Sequence, residues 1–159
     1  MKLLVICLLI LISPLAHAAS EDFTARVVGV HDGDSITVLD QGKTQYKIRM
    51  AEIDAPESKQ DYGSRSKQML SDLVFGKTVQ VSPVDTDRYG RLVAHVYVGN
   101  RNINQAMVEQ GGAWVYQHYL KTTSLLDAEA KAKESKVGLW GVSREPIAPW
   151  EWRNARRKK

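Results

Sequence analysis

Five short runs in this chain, rich in β-branched and aromatic residues, read as β-strands. The first three are "DFTARVVGV" (22–30), "SITVL" (35–39) and "TQYKIRMAEI" (44–53), joined by the turn signals "HDGD" and "DQGK". Asp-Gly and Gly-containing pairs between such runs predict a meander of antiparallel strands. "KTVQVSPV" (77–84) and "RLVAHVYV" (91–98) are the fourth and fifth. Between the third and fourth the period changes. Met69, Leu70, Leu73 and Val74 share one helical face, and Gly76 stands where a left-handed residue ends a helix. After the fifth strand and its "GNRN" turn, Asn104 is expected to cap a short helix ending at Gly111-Gly112. A last helix is predicted from about Ser124 to Lys136, stopping at Gly138.

The resulting order, βββ-α-ββ-α-α, predicts a mainly β chain with α (α+β). It is the order of an OB-type five-stranded Greek-key barrel with about three helices. An open five-stranded sheet with packed helices is the alternative. Barrels of this type often bind oligonucleotides, but a fold alone assigns no function.

The first residues follow a different logic. "MKLLVICLLILISPLAHAAS" has one Lys, an apolar run from Leu3 to Ile12, Pro14, and small residues at Ala16 and Ala18. This predicts a secretory signal peptide over residues 1–19, too short in its apolar part to span a bilayer, with the folded domain in 20–159. The expected location is therefore secreted or periplasmic, with no stable membrane insertion after cleavage. Cys7, the single cysteine, lies inside that leader. Thiol catalysis, thiolate metal binding and disulfides are excluded for the remainder. The net charge of +4 and the basic tail, with five basic residues in the seven from Arg153 to Lys159, fit an anionic partner met through phosphates. Trp150 and Trp152, just before the tail, read as packing residues.

The segment "RMAEIDAPE" (49–57) breaks its own strand pattern. Tyr46, Ile48 and Met50 share one face, yet Ile53 falls on the face that carried Lys47 and Arg49. Such a slip reads as a β-bulge, which re-aims side chains beside active sites. In a meander, the start of the second strand lies near the end of the third. Asp34 and Asp54 then converge, and paired carboxylates repel unless a proton or cation lies between them. Without cysteine, the expected ion is hard and oxygen-bound, Ca²⁺ or Mg²⁺. Glu57, carried past Pro56, is expected to deprotonate a water. Arg49 and Arg91, the latter in "DRYGR" (87–91), come from neighbouring strands and have the fork geometry to bind one phosphate. Each residue alone reads as a turn acid or an exposed strand arginine. Together they supply a cation site, donors for the oxygens of a phosphodiester, and a base.

With these residues in place, the chain resembles the staphylococcal nuclease (thermonuclease) family. The matching pieces are "VHDGDSITV", "IRMAEIDAPE", Tyr62-Gly63, "DRYGRLVAHVYV", "INQAMVEQGGAWV" and "AEAKAKESKVGLW". The resemblance implies an OB-fold nuclease that needs Ca²⁺, acts on DNA and RNA and leaves 3′-phosphates. By position it implies Asp34, Asp54 and the carbonyl of Ala55 as calcium ligands, and Arg49, Glu57 and Arg91 as catalytic residues. Tyr89 and Tyr119 match substrate-binding tyrosines, while another tyrosine of that pocket is Gln117 here, with Tyr116 beside it. Ala55 and Ser35 stand where the family's first member has Thr, and a backbone carbonyl is indifferent to the first change. The expectation is a monomeric endonuclease. A silent OB module that only binds nucleic acid is the rival from another class, and the full set of charged residues favours the enzyme.

Overall fold

The computed structural model describes residues 21–142 and 145–158. The predicted leader lies outside the described residues. Strands β1 (Phe23–Val30), β2 (Ser35–Asp40) and β3 (Gln45–Met50) form the expected antiparallel meander. Helix α1 (Gly63–Val74) ends at Phe75, and Gly76 follows with φ +73°. Strand β5 (Thr78–Thr86) pairs with β1, and β6 (Leu92–Val98) pairs with β5. A parallel pairing of β6 with β3 then closes the five strands into a barrel. This is the α+β, OB-type architecture expected from the order of elements.

The barrel is filled by the inward members of each alternation. Val27, Ile36, Val38, Ile48, Val81 and Val96 are all almost completely buried. Leu70 and Val74 of α1 and Met107 of the next helix complete the same core.

Between β3 and β5 lies the two-residue strand β4 (Ile53–Asp54). Strand β7 (Arg101–Asn102) turns back on β6 and leads into α2 (Ile103–Glu109). Strand β8 (Trp114–Val115) pairs with β4, and a 3₁₀ turn follows at Gln117–Tyr119. The C-terminal part holds α3 (Ser124–Glu134), α4 (Leu139–Val142) and α5 (Pro149–Arg157). The last two go beyond the three helices expected.

Two local expectations are corrected. The α2 cap is Asn102, whose side chain accepts from the N–H of Gln105. Asn104 is instead fully buried inside α2. Its Oδ1 accepts from the Val96 N–H, and its amide donates to the carbonyls of Ala51 and Ala94. A helix interior tolerates Asn here because every polar atom is satisfied.

The slip after Met50 is not a bulge in the β2–β3 ladder, whose register is unbroken. The chain leaves one sheet and joins another. The Ala51 N–H still bonds to Ala94 on β6, then Glu52 takes a left-handed φ of +63°. Ile53 and Asp54 thereafter pair with β8. The two-residue alternation restarts because the pairing partner has changed.

Candidate active site

The break at Ala51–Glu52 builds one end of the barrel. Arg49, the last polar-face residue of β3, bridges it: its Nη1 donates to the carbonyls of both Met50 and Ile53, each at 2.8 Å. Glu52 fastens the far side. Its buried carboxylate accepts from the N–H groups of Lys121 and Thr122 and from the Thr122 hydroxyl. His95 lies 3.3 Å from the same carboxylate. Burial raises the affinity of Glu52 for a proton, but these donors outweigh it and hold its pKa below the usual value. The loop after the 3₁₀ turn is thereby tied to the β3–β4 break.

Asp34 and Asp54 meet as predicted. Asp34 is 5% exposed and Asp54 1%. The Met50 N–H bonds to the Asp34 carbonyl, so the head of β2 is stitched to the tail of β3. Gly33 makes this possible, because a Cβ there would fall 1.8 Å from Ser66 Oγ on α1 and 2.7 Å from the Ala55 Cβ. The Asp34 loop can therefore settle against Ala55. Asp34 Oδ2 accepts from the Ala55 N–H at 2.6 Å, and Oδ1 accepts from Ser35 Oγ. One nitrogen, Arg49 Nη2, lies 3.3 Å from Asp34 Oδ2 and 3.2 Å from Asp54 Oδ1.

Burial pushes the Asp34 carboxyl up to about 7. The charges of Asp32 and Asp54 add to this, while Arg49 and the Ala55 N–H oppose it. A pair of buried acids under that strain is suited to a cation, and every donor offered is oxygen. Among the described residues there is no cluster of three or more His, Cys, Asp or Glu side chains of metal-binding form. A cation here would rest on two carboxylates, backbone oxygen and water. This fits the expected donor set of Asp34, Asp54 and the Ala55 carbonyl. The contact seen between Ala55 and Asp34 uses the amide N–H rather than that carbonyl.

Glu57 follows Pro56 on a tight turn closed by the Gln60 N–H on the Glu57 carbonyl. Gly63 lets α1 start directly over it, since a Cβ would lie 2.0 Å from the Glu57 oxygen. Glu57 joins the aspartates through Arg153, which the sequence placed in a basic tail expected to meet phosphates. Arg153 Nη1 donates to Glu57 Oε1 at 2.7 Å and to Asp54 Oδ1 at 3.1 Å, while Nη2 donates to Asp54 Oδ2 at 2.7 Å. Hydrogen bonds to Asp54 and then Glu57 raise the Arg153 pKa despite partial burial, so the guanidinium stays charged. The signal that it belonged to a helix was present in Pro149, which stands in the first turn of α5 as prolines favour.

Arg91 lies at the edge of this group. It immediately precedes β6, whose Val93 is paired with Arg49. Asp87 accepts from the Arg91 backbone N–H and from its Nε at 2.7 Å, which fixes the guanidinium. Arg91 Nη1 is 3.5 Å from Ser35 Oγ, the hydroxyl that donates to Asp34. Both tyrosines are exposed. Tyr89 is on the Asp87–Arg91 turn, with the guanidiniums of Arg88 and Arg91 over its ring. Tyr119 meets the rings of Tyr116 and His118 edge-on. Trp150 packs as expected, stacked on Tyr116 at 5.6 Å and edge-on to Trp114 at 5.7 Å.

The family described as "Staphylococcal nuclease homologue" matches residues 47–142, more than half of the chain. The chain belongs to the staphylococcal nuclease family. It is 43% identical over 152 residues to an "Uncharacterized endonuclease" of Haemophilus influenzae, covering 96% of this chain and 85% of that protein. It is also 43% identical over 147 residues to a "Micrococcal nuclease" of Shigella flexneri, covering 84% of this chain and 82% of that one. A plant relative, "Staphylococcal-like nuclease CAN1" of Arabidopsis thaliana, is 39% identical over 113 residues, 71% of this chain but 35% of that protein. Family membership makes the chain a nuclease-class hydrolase with nucleic acid as its substrate.

Proposed function

We propose that this chain is a calcium-dependent nuclease that hydrolyses phosphodiester bonds of DNA and RNA as a monomer and leaves 3′-phosphates. The observation that carries the reading is the meeting of Asp34, Asp54, Arg49 and Glu57 at one end of the barrel. Asp34, Asp54 and the Ala55 carbonyl would hold the ion, which when bound supplies positive charge against the phosphate oxygens. Glu57 accepts a proton from the attacking water. Arg49, and Arg91 as fixed by Asp87, donate to the non-bridging oxygens as their negative charge grows. The new bond joins water oxygen to phosphorus, the bond to the 5′ oxygen breaks, and the expelled 5′ oxygen takes a proton from solvent as Glu57 later returns its own to solvent. The products are a 3′-phosphate and a 5′-hydroxyl. Exposed Tyr89 and Tyr119 offer ring surfaces for the substrate beside the site.

The leader pattern in residues 1–19 supports export, and we assign the mature protein to the periplasm or the medium. No helix among the described residues is long and apolar enough to cross a membrane.

The test is plasmid cleavage in Ca²⁺, in Mg²⁺ and in a chelator, with the new ends offered directly to polynucleotide kinase. Ca²⁺ is expected to support cleavage, Mg²⁺ poorly and the chelator not at all, and the new ends should accept phosphate without prior phosphatase. Equal rates in Mg²⁺ would refute the cation assignment. Ends that need dephosphorylation first would refute the product assignment. A protein that binds DNA but cuts it under no condition would be the silent OB module.

A further inference from the structure

Helix α5 is attached to the candidate site at three levels. Trp150, on its first turn, stacks on Tyr116 and packs edge-on against Trp114. Just before the helix, the Ile147 carbonyl accepts from Gln60 Nε2 at 2.6 Å, and Gln60 Oε1 accepts from the Glu57 N–H. Arg153, one turn after Trp150, then reaches Asp54 and Glu57. The segment is thus anchored beside the very turn that carries Glu57.

We infer that Arg153 is a positioning residue of the hydrolytic site, which the C-terminal helix supplies to hold Glu57 in place beside the Asp34–Asp54 pair. The inference rests on the reading of Glu57 as the base. The guanidinium bridges two carboxylates. Nη1 is shared between Glu57 Oε1 at 2.7 Å and Asp54 Oδ1 at 3.1 Å, leaving Glu57 Oε2 for a water, and Nη2 holds Asp54 Oδ2. Both contacts to Asp54 can yield to an incoming cation while Nη1 keeps its shorter bond to Glu57. Arg153 and a divalent cation therefore compete for one carboxylate, although Arg153 serves the reaction.

That competition gives a signature with opposite signs. Losing Arg153 removes a positive charge next to a proposed ligand, so the cation should bind more tightly. The same loss frees Glu57, so turnover should slow. A scaffold role would weaken both, and an inhibitory plug would strengthen both.

The experiment uses the full chain and its Arg153→Ala, Arg153→Lys and Arg153→Gln variants, each alone and combined with Glu57→Gln. Thermal unfolding selects the folded variants. Ca²⁺ binding is read by calorimetry, and kcat and KM are read on long DNA. Arg153→Ala should bind Ca²⁺ about 3- to 10-fold more tightly, the screened scale for a partly exposed charge. Its kcat should fall about 10- to 100-fold, with KM nearly unchanged. Lysine keeps the charge without the fork, so it should restore the Ca²⁺ affinity of the wild type but not its rate. Combined with Glu57→Gln, Arg153→Ala should cost less than about twofold further, because it acts through that side chain. Arg153→Gln provides the same comparison if the alanine variant does not fold. Faster turnover, weaker Ca²⁺ binding, or a full additional loss on top of Glu57→Gln would overturn the inference. Full activity of Glu57→Gln alone would instead overturn the base assignment. Slow Glu57→Gln with a full-rate Arg153→Ala would overturn the positioning role alone.

Discussion

Replacing Glu52 with alanine should be among the most damaging single changes outside the hydrophobic core. Its carboxylate accepts from Lys121 N–H, Thr122 N–H and Thr122 Oγ1. Hydrogen bonds to a charged group contribute roughly 1.5–3 kcal/mol each. Lys121 and Thr122 are exposed, so water can replace part of what is lost. The expected cost of Glu52→Ala is then about 3 kcal/mol, below the simple sum of the three bonds. Glu52→Gln keeps one acceptor oxygen and should cost about half as much. The left-handed φ of +63° gives a second, independent check. Glycine adopts that conformation without strain, so Glu52→Gly should be about 1 kcal/mol more stable than Glu52→Ala, the reverse of the usual order. Urea unfolding followed by tryptophan fluorescence measures all three variants. Because the loop anchored by Glu52 directly follows the 3₁₀ turn that ends at Tyr119, KM for DNA should rise in the variants that still fold. A loss under about 1 kcal/mol for Glu52→Ala, or alanine more stable than glycine, would refute the argument.

Arg91→Lys should lose on the order of 10²-fold in kcat, since lysine keeps the charge but not the fork. Near wild-type turnover would return Arg91 to an exposed strand residue. Glu57→Gln should lose about 10²- to 10⁴-fold in kcat while Ca²⁺ binding, read by calorimetry, survives better than in the aspartate variants. Asp87 has a pKa held below the usual value, because donors from Arg91 and Tyr89 outweigh its burial. Its contribution is therefore complete above about pH 4 and lost as pH falls through its lowered folded value, so the stability gap between the wild type and Asp87→Asn should close in acid. Neutralising Arg156, Arg157 and Lys158 should raise KM at low salt, leave kcat unchanged and flatten the salt dependence of binding.

The barrel was legible because its strands are short, rich in β-branched residues and separated by turn residues with definite conformational needs. Ser35 opposite Arg49 is the register that a meander with the "DQGK" turn demands, and it carries Asp34 to the end of β3. The β3–β4 break was visible only as a lost phase. Its cause is a partner, β8, sixty residues downstream, and a left-handed Glu52 that the alternation alone does not announce. The α2 cap was misread because Asn102 and Asn104 carry identical chemistry. Only the three-dimensional demand of Val96, Ala51 and Ala94 for one buried amide separates them. Arg153 was hidden for a different reason. It lies among basic residues that suggest a solvated tail, and its partner Asp54 is 99 residues away. A local pattern cannot report a contact of that kind. The aromatic anchor that makes it possible, Trp150 against Tyr116 and Trp114, is likewise non-local.

The most direct test of the account measures Ca²⁺ affinity and DNA cleavage together on the wild type, Asp34→Asn and Asp54→Asn. Both substitutions keep the shape of the buried pair and remove one charge from it. The account predicts that each folded variant binds Ca²⁺ at least about tenfold more weakly, the scale of losing one charged oxygen donor. Cleavage should fall in each and recover in part as Ca²⁺ is raised. Wild-type Ca²⁺ affinity in both variants, or undiminished cleavage with calcium removed, would contradict the placement of the catalytic cation between Asp34 and Asp54.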